Sequence, residues 1–203
     1  MKRLAPLALL FGLVLSACGS APGQLSGTRV SIGVAVDDSK STETATKTIT
    51  PATDTAPQKV SWTITSGSGV TFTFMTRPGS DAVYLTGYRI LKETITTAAG
   101  TTVHENMSDV NKMDLYLTSG YTCTARTALT SCPTSGSDTA PANGIPAQHA
   151  IYLEGGLGGL ARATDGDVSQ VTSVEFYGIS SNGQPVAVRA DGVVSTGLRL
   201  GDE

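Results

Sequence analysis

Val30, Ile32, Val34 and Val36 alternate with Ser31, Gly33 and Ala35, and short alternations of this kind restrict the possible folds more than any other feature of the chain. Successive side chains of a strand point to opposite faces, so a period of two makes one face apolar and leaves the other polar. The pattern returns in Val60-Ser61-Trp62-Thr63-Ile64, in Val70-Thr71-Phe72-Thr73-Phe74 and in Val171 to Ile179. Between such runs stand clusters of Gly, Ser, Asn and Pro, and no stretch keeps an apolar stripe at helical spacing for three turns. The pattern predicts an all-β chain, an antiparallel β-sandwich of about eight to ten short strands with little helix.

Individual elements follow from the same rule. The turn Ser66-Gly67-Ser68-Gly69 joins the runs at Val60 and Val70 into an expected hairpin. Ala82 to Thr97 is long for one strand, and Gly87 inside it signals a bulge or a switch between sheets. Asp37 to Pro57 holds seven Thr and two Ser with Ile49 as its sole sizeable aliphatic, which predicts an exposed loop or an edge strand carrying a Thr ladder. Val103 to Glu105, Lys112 to Leu117 and His149 to Leu153 are shorter strand candidates, with one helical turn expected between the first two. Gly155-Gly156-Leu157-Gly158-Gly159 reads as a mobile glycine loop. Val171 to Ile179 and Pro185 to Ala190 flank Ser180-Ser181-Asn182-Gly183, a hairpin signal because Asn and Gly tolerate positive φ.

That last hairpin carries a resemblance. Val171-Thr172-Ser173-Val174-Glu175-Phe176-Tyr177, followed by a turn and Val186-Ala187-Val188, is similar to the Val-x-Phe-Tyr hairpin of bacterial immunoglobulin-like domains of cell-surface proteins. The resemblance implies an immunoglobulin-like sandwich.

The N-terminus fixes an expected address. Lys2 and Arg3 precede a mostly apolar run from Leu4 to Val14, too short for the roughly 20 residues of a spanning helix, as in a secretory leader. Leu15-Ser16-Ala17-Cys18 then resembles the lipobox of bacterial lipoproteins. That resemblance implies lipidation of the Cys18 thiol, cleavage before Cys18 and acylation of the new amino terminus. Several acyl chains on one residue make a stable anchor, each buried methylene contributing about 0.8 kcal/mol. Gly19 and Ser20 are not acidic, which by the family's sorting habit favours the outer membrane or cell surface. The expected division is a signal peptide at 1–17, a lipidated Gly/Ser/Pro tether at 18–27 and one β-sandwich domain at 28–203.

Charge excludes one class of partner. The chain has net charge -3, and loss of Lys2 and Arg3 leaves 12 basic against 17 acidic residues. The basic residues are scattered, without the cluster that phosphate neutralisation requires, so no nucleic-acid partner is expected. The expected partners are membrane lipid, through acylated Cys18, and an envelope protein.

With Cys18 assigned, Cys123 and Cys132 remain as an even pair for an oxidising compartment, and a local disulfide is the expectation. The spacing is neither Cys-x-x-Cys nor close to a His. His104 and His149 are the only imidazoles. No Gly-x-Ser-x-Gly elbow accompanies them. Glu154, at the end of an apolar strand before the glycine run, is the carboxylate best placed for a raised pKa. Asp165-Gly166-Asp167 and Asp109-Val110-Asn111 offer alternating oxygen ligands, but neither completes a calcium loop. No catalytic residue, metal or cofactor is assigned. The functional expectation is a lipid-anchored envelope protein acting as a binding or structural accessory module. The alternative is an exported hydrolase using Glu154 or a His in a sheet-end cleft.

Overall fold

A computed structural model describes residues 29–36, 41–67, 69–105, 109–124, 126, 132, 140–153 and 155–201. The leader 1–17, the tether 18–27 with Cys18, and Glu154 lie outside the described residues, as does the 106–108 stretch of the expected helical turn. Among the described residues the strands are β1 (Ile32–Val36), β2 (Ser41–Thr50), β3 (Lys59–Thr65), β4 (Val70–Thr76), β5 (Val83–Thr97), β6 (Gly100–Glu105), β7 (Val110–Leu117), β8 (Tyr121–Thr122), β9 (Ala140–Pro141), β10 (Ala147–Ile151), β11 (Val168–Ser180) and β12 (Pro185–Leu200). One helix, α1 (Leu157–Thr164), lies between β10 and β11.

The strands form an all-β sandwich. A three-stranded sheet, β1-β4-β10, faces a seven-stranded sheet ordered β3-β2-β12-β11-β5-β6, with β7 also pairing β5. Every pair is antiparallel except one: Ser41–Thr46 of β2 runs parallel to Ser195–Leu200 of β12. The core between the sheets is built on three phenylalanines. Phe176 of β11 meets Phe72 and Phe74 of β4 edge-on, at centroid distances of 4.9 and 4.7 Å. Val70, Val83, Leu85, Leu117 and Val174 close the layer, each at most 1% exposed. A side chain of this size contributes roughly 1.5 to 3 kcal/mol when fully buried, so this layer is the main source of stability.

The strand β11 shows the alternation most plainly. Val168, Gln170, Thr172, Val174 and Phe176 are buried, while the residues between them face outward. At Ser173 the pairing shifts on both sides, because β5 carries Leu91 as an extra residue and β12 sets both Asp191 and Gly192 opposite the single Ser173. Gly192 takes φ of +73°, a conformation that favours glycine. These paired bulges divide the large sheet into two halves.

Several expectations are met and others corrected. The β11–β12 hairpin forms with Gly183 at φ +74°, and Gly87 sits at a register shift within one sheet. The Tyr177 ring lies over Gly87, where an added Cβ would come within 2.2 Å of the phenol oxygen. By contrast β3 and β4 do not form a hairpin. They belong to different sheets, β3 pairing β2 and β4 pairing β1 and β10. The supposed loop or edge at 41–50 is the interior strand β2, flanked by β3 and β12, with Ser41, Glu43 and Ala45 buried. Strands β5, β11 and β12 are long, at 15, 13 and 16 residues. The glycine run opens α1 rather than a mobile loop, because Leu157, Leu160 and Ala161 recur at helical spacing and pack on Val168 and Ile95.

Candidate functional site

The half of the large sheet that the small sheet does not cover lies beneath α1, and there buried polar side chains adjoin the small apolar cluster of Leu157, Ala161 and Val168. The helix enters through Gly156 at φ +91°, which has no side chain to cap the exposed amides of the first turn. The cap comes from a distant strand. Glu43 of β2, 7% exposed, accepts the Gly158 N–H at 2.6 Å through one carboxylate oxygen and the Ser66 hydroxyl at 3.4 Å through the other. A carboxylate at this end also meets the positive pole of the helix dipole. Approach is close because Gly197 of β12 lies under the first turn, where an added Cβ would stand 2.4 Å from the Leu157 carbonyl oxygen. At the other end Asp165 adopts φ of +51°, and the amides of Asp165 and Gly166 return to Arg162 and Ala161 in a Schellman closure.

Next to Glu43 the cluster continues across the sheet. Gln170 Nε2 donates to Thr172 Oγ1 at 3.2 Å and to a Glu93 carboxylate oxygen. The hydroxyls of Ser41 and Ser195, opposed in the parallel register, are fully buried and have no hydrogen-bond partner among the described residues. Arg162 closes the rim, its guanidinium carbon 5.9 Å from the centre of the Trp62 ring. Sequence reasoning singled out neither Glu43 nor Glu93. The only signal was the period-two setting of Glu43 among Ser41 and Ala45, hidden by the threonines around it.

The residues that the sequence did single out are dispersed. His104 is exposed on β6, at one end of the large sheet; His149 is half-buried on β10 of the small sheet, opposite Phe72. The two imidazoles thus belong to different sheets. The oxygens of the candidate calcium loop are exposed and already engaged: Asp165 Oδ1 accepts from Arg199 Nε at 2.7 Å and Asp167 Oδ1 from the Arg199 amide at 2.9 Å. An arginine thus stands where a cation would have to sit. No group of three His, Cys, Asp or Glu able to hold a metal occurs among the described residues.

Cys123 and Cys132 are bonded, with an S–S distance of 2.17 Å and 5.8 Å between their Cα atoms. The bond is held in a stitched pole of the sandwich. There Thr76 Oγ1 donates to the Thr118 carbonyl, the Cys132 amide to Ser119 Oγ at 3.0 Å, and Asn182 Nδ2 to Asp81 at 2.8 Å. Arg29, the first described residue, accepts the Asp81 amide at the same pole. Beside it a hollow of 230 Å³ is lined by Ala82, Val83, Tyr84, Tyr116, Ile179, Ser180 and Ser181. Tyr84 donates to Asp114 at 2.5 Å, which with the adjacent negative charge raises the phenol above its ordinary pKa.

The outer face of the large sheet is banded. Ile179, Tyr84 and Tyr116 form an apolar row near the Arg29 pole. A charged band follows, with Arg89–Glu175 at 2.5 Å and Lys92–Glu105 at 3.0 Å. Beyond it Thr101, Thr96, Ser169, Thr196 and Thr42 stand side by side across five strands, a hydroxyl row whose last members touch at 2.9 Å. Searches for related proteins give no match to any family model or curated protein.

Proposed function

We propose that the protein is a lipid-anchored component of the cell envelope whose β-sandwich serves as a binding or structural accessory module in a surface or outer-membrane assembly. The observation that carries the reading is Leu15-Ser16-Ala17-Cys18 placed directly after a basic, then apolar, leader. The Cys123–Cys132 bond supports it, since such bonds persist in oxidising compartments. The likeness of the β11–β12 hairpin to immunoglobulin-like surface domains points the same way. Recognition would use strand edges and flat sheet faces, which offer backbone groups and banded side chains rather than convergent reactive groups. The chemistry at Cys18 is a thioether to a diacylglyceryl group, and the partner is a protein of the same envelope.

Metabolic labelling with a fatty-acid probe tests the anchor. The wild-type chain is expected to take up label and to begin at Cys18 by mass spectrometry, and Cys18→Ser is expected to lose both. Label retained by Cys18→Ser, or a native chain with an unmodified Cys18 thiol, would overturn the assignment. Cross-linking in intact envelopes tests the module, with a defined protein partner expected in place of a product of bond cleavage.

A further inference from the structure

Strand β3 ends the large sheet, and among the described residues its outer edge carries, beyond Lys59 at its start, none of the devices that normally guard one. Edge strands are protected by inward charges, prolines, bulges or covering loops. Between Val60 and Thr65 there is no charge and no proline, and β3 pairs β2 without a register shift. Six of its seven residues are exposed, including Val60 at 49% and Ile64 at 45%. The other end of the sheet differs, because β6 ends in His104 and Glu105, the latter paired with Lys92.

The order of residues in β3 says what fits there. Lys59-Val60-Ser61-Trp62-Thr63-Ile64-Thr65 is close to a palindrome about Trp62. If a second copy of the strand lies antiparallel with Trp62 opposite Trp62, then Val60 meets Ile64, Ser61 meets Thr63, and Lys59 meets Thr65. Each apolar side chain then faces an apolar one on the α1 side, Ser61 faces Thr63 on the outer side, and Lys59 meets Thr65 rather than a like charge. Opposed pairs of these kinds stabilise antiparallel sheets. An antiparallel pair has a two-fold axis at a self-opposed residue, so the contact closes on itself as a dimer and does not propagate.

We propose that β3 is a homodimerisation edge, with two copies of the chain joined through self-paired β3 strands into one continuous sheet. The inference rests on the strand and its exposure, not on the lipid anchor, and each fails separately.

The test uses the full protein purified in mild detergent. Sedimentation is expected to show a dimer, and Val60→Lys with Ile64→Lys, both at exposed positions, to weaken it by about tenfold or more while leaving the circular dichroism unchanged. Oxidative cross-linking reads the register without relying on that variant. Trp62→Cys is expected to link to itself, and Ser61→Cys to link to Thr63→Cys but not to another Ser61→Cys copy. A monomer at all concentrations, a dimer that the two lysines leave intact, or efficient Ser61→Cys self-linkage would overturn the proposal.

Discussion

The inner face of the large sheet is covered twice, once by a second sheet and once by a helix, and the two halves solve burial differently. Beyond Ser173 toward Phe176, the sheets face each other across a gap that large apolar side chains fill, with Phe72, Phe74 and Phe176 interlocked. On the other side of Ser173, α1 lies almost directly on the strands, with Gly197 letting backbone approach backbone and Gly158 making room for the Glu43 and Ile64 side chains. Little room is left, so the residues there are small or bent back on themselves: Ser41, Ser195, Thr172, Gln170 and Glu43. Apolar burial needs volume, whereas a tight backbone contact traps polar groups that must find partners nearby. Glu43 finds the Gly158 amide of the helix; Ser41 and Ser195 find no partner among the described residues.

The contrast predicts a ranking. Phe176→Ala, which opens the three-ring cluster, is expected to cost about 3 to 5 kcal/mol in denaturant unfolding. A loss no larger than that of a surface substitution would show that the two halves do not differ in this way. Gly197→Ala is expected to cost about 1 to 3 kcal/mol by pushing α1 off the sheet. Hydrogen exchange should rise at 157–164 while Phe176 and its neighbours keep their protection. Glu43→Ala is expected to lose about 1 to 2 kcal/mol, and Glu43→Gln, which keeps an acceptor without the charge, to lose less. Equal losses would assign the effect to the carboxylate charge alone rather than to the hydrogen bond or the stem, both of which glutamine keeps.

Ser195→Ala should go the other way, raising the unfolding free energy by about 0.5 kcal/mol, since it removes a buried hydroxyl that has no hydrogen-bond partner among the described residues. At the boundary between the halves, the Asp191 carboxyl is held below its ordinary pKa, first by the Ser173 hydroxyl and then by Arg189. A lowered carboxylate binds fewer protons folded than unfolded. Its contribution is therefore present above the ordinary carboxyl pKa and lost as pH falls through the folded value. The group is exposed, so Asp191→Asn should flatten the acid limb of the stability profile by only about a few tenths of a kcal/mol.

The half that the sequence displays clearly is the apolar one. Val30 to Val36, Val70 to Phe74, Ala82 to Thr97 and Val171 to Ile179 announce their strands because alternation there coincides with burial of large side chains. Gly87 and Ser180–Gly183 announce a bulge and a turn because their backbone demands are local. Strand β2 conceals itself, since what it buries is Ser, Glu and Ala, and its neighbour β12 lies 154 positions away at the Thr42–Thr196 contact. Pairing across such a distance leaves no local trace. For the same reason β3 and β4, adjacent in sequence across a plausible turn, read as a hairpin although tertiary packing sends them to different sheets. Helix α1 was hidden by its glycines, which disfavour a helix in isolation. Here those glycines let it reach the strands. The disulfide was legible from cysteine parity, and the contacts of Asp165 with the Arg199 guanidinium and of Asp167 with the Arg199 amide were not.

The parallel seam between β2 and β12 also sets the timing of assembly. The second strand to be made waits for the twelfth, so the β2–β3 hairpin hangs as a loose flap until synthesis has passed Leu200. Bringing such distant segments together incurs a large closure entropy and slows folding. The hairpin therefore takes its place in the large sheet only after the last strand has been released, and the seam it closes there is the final one to form.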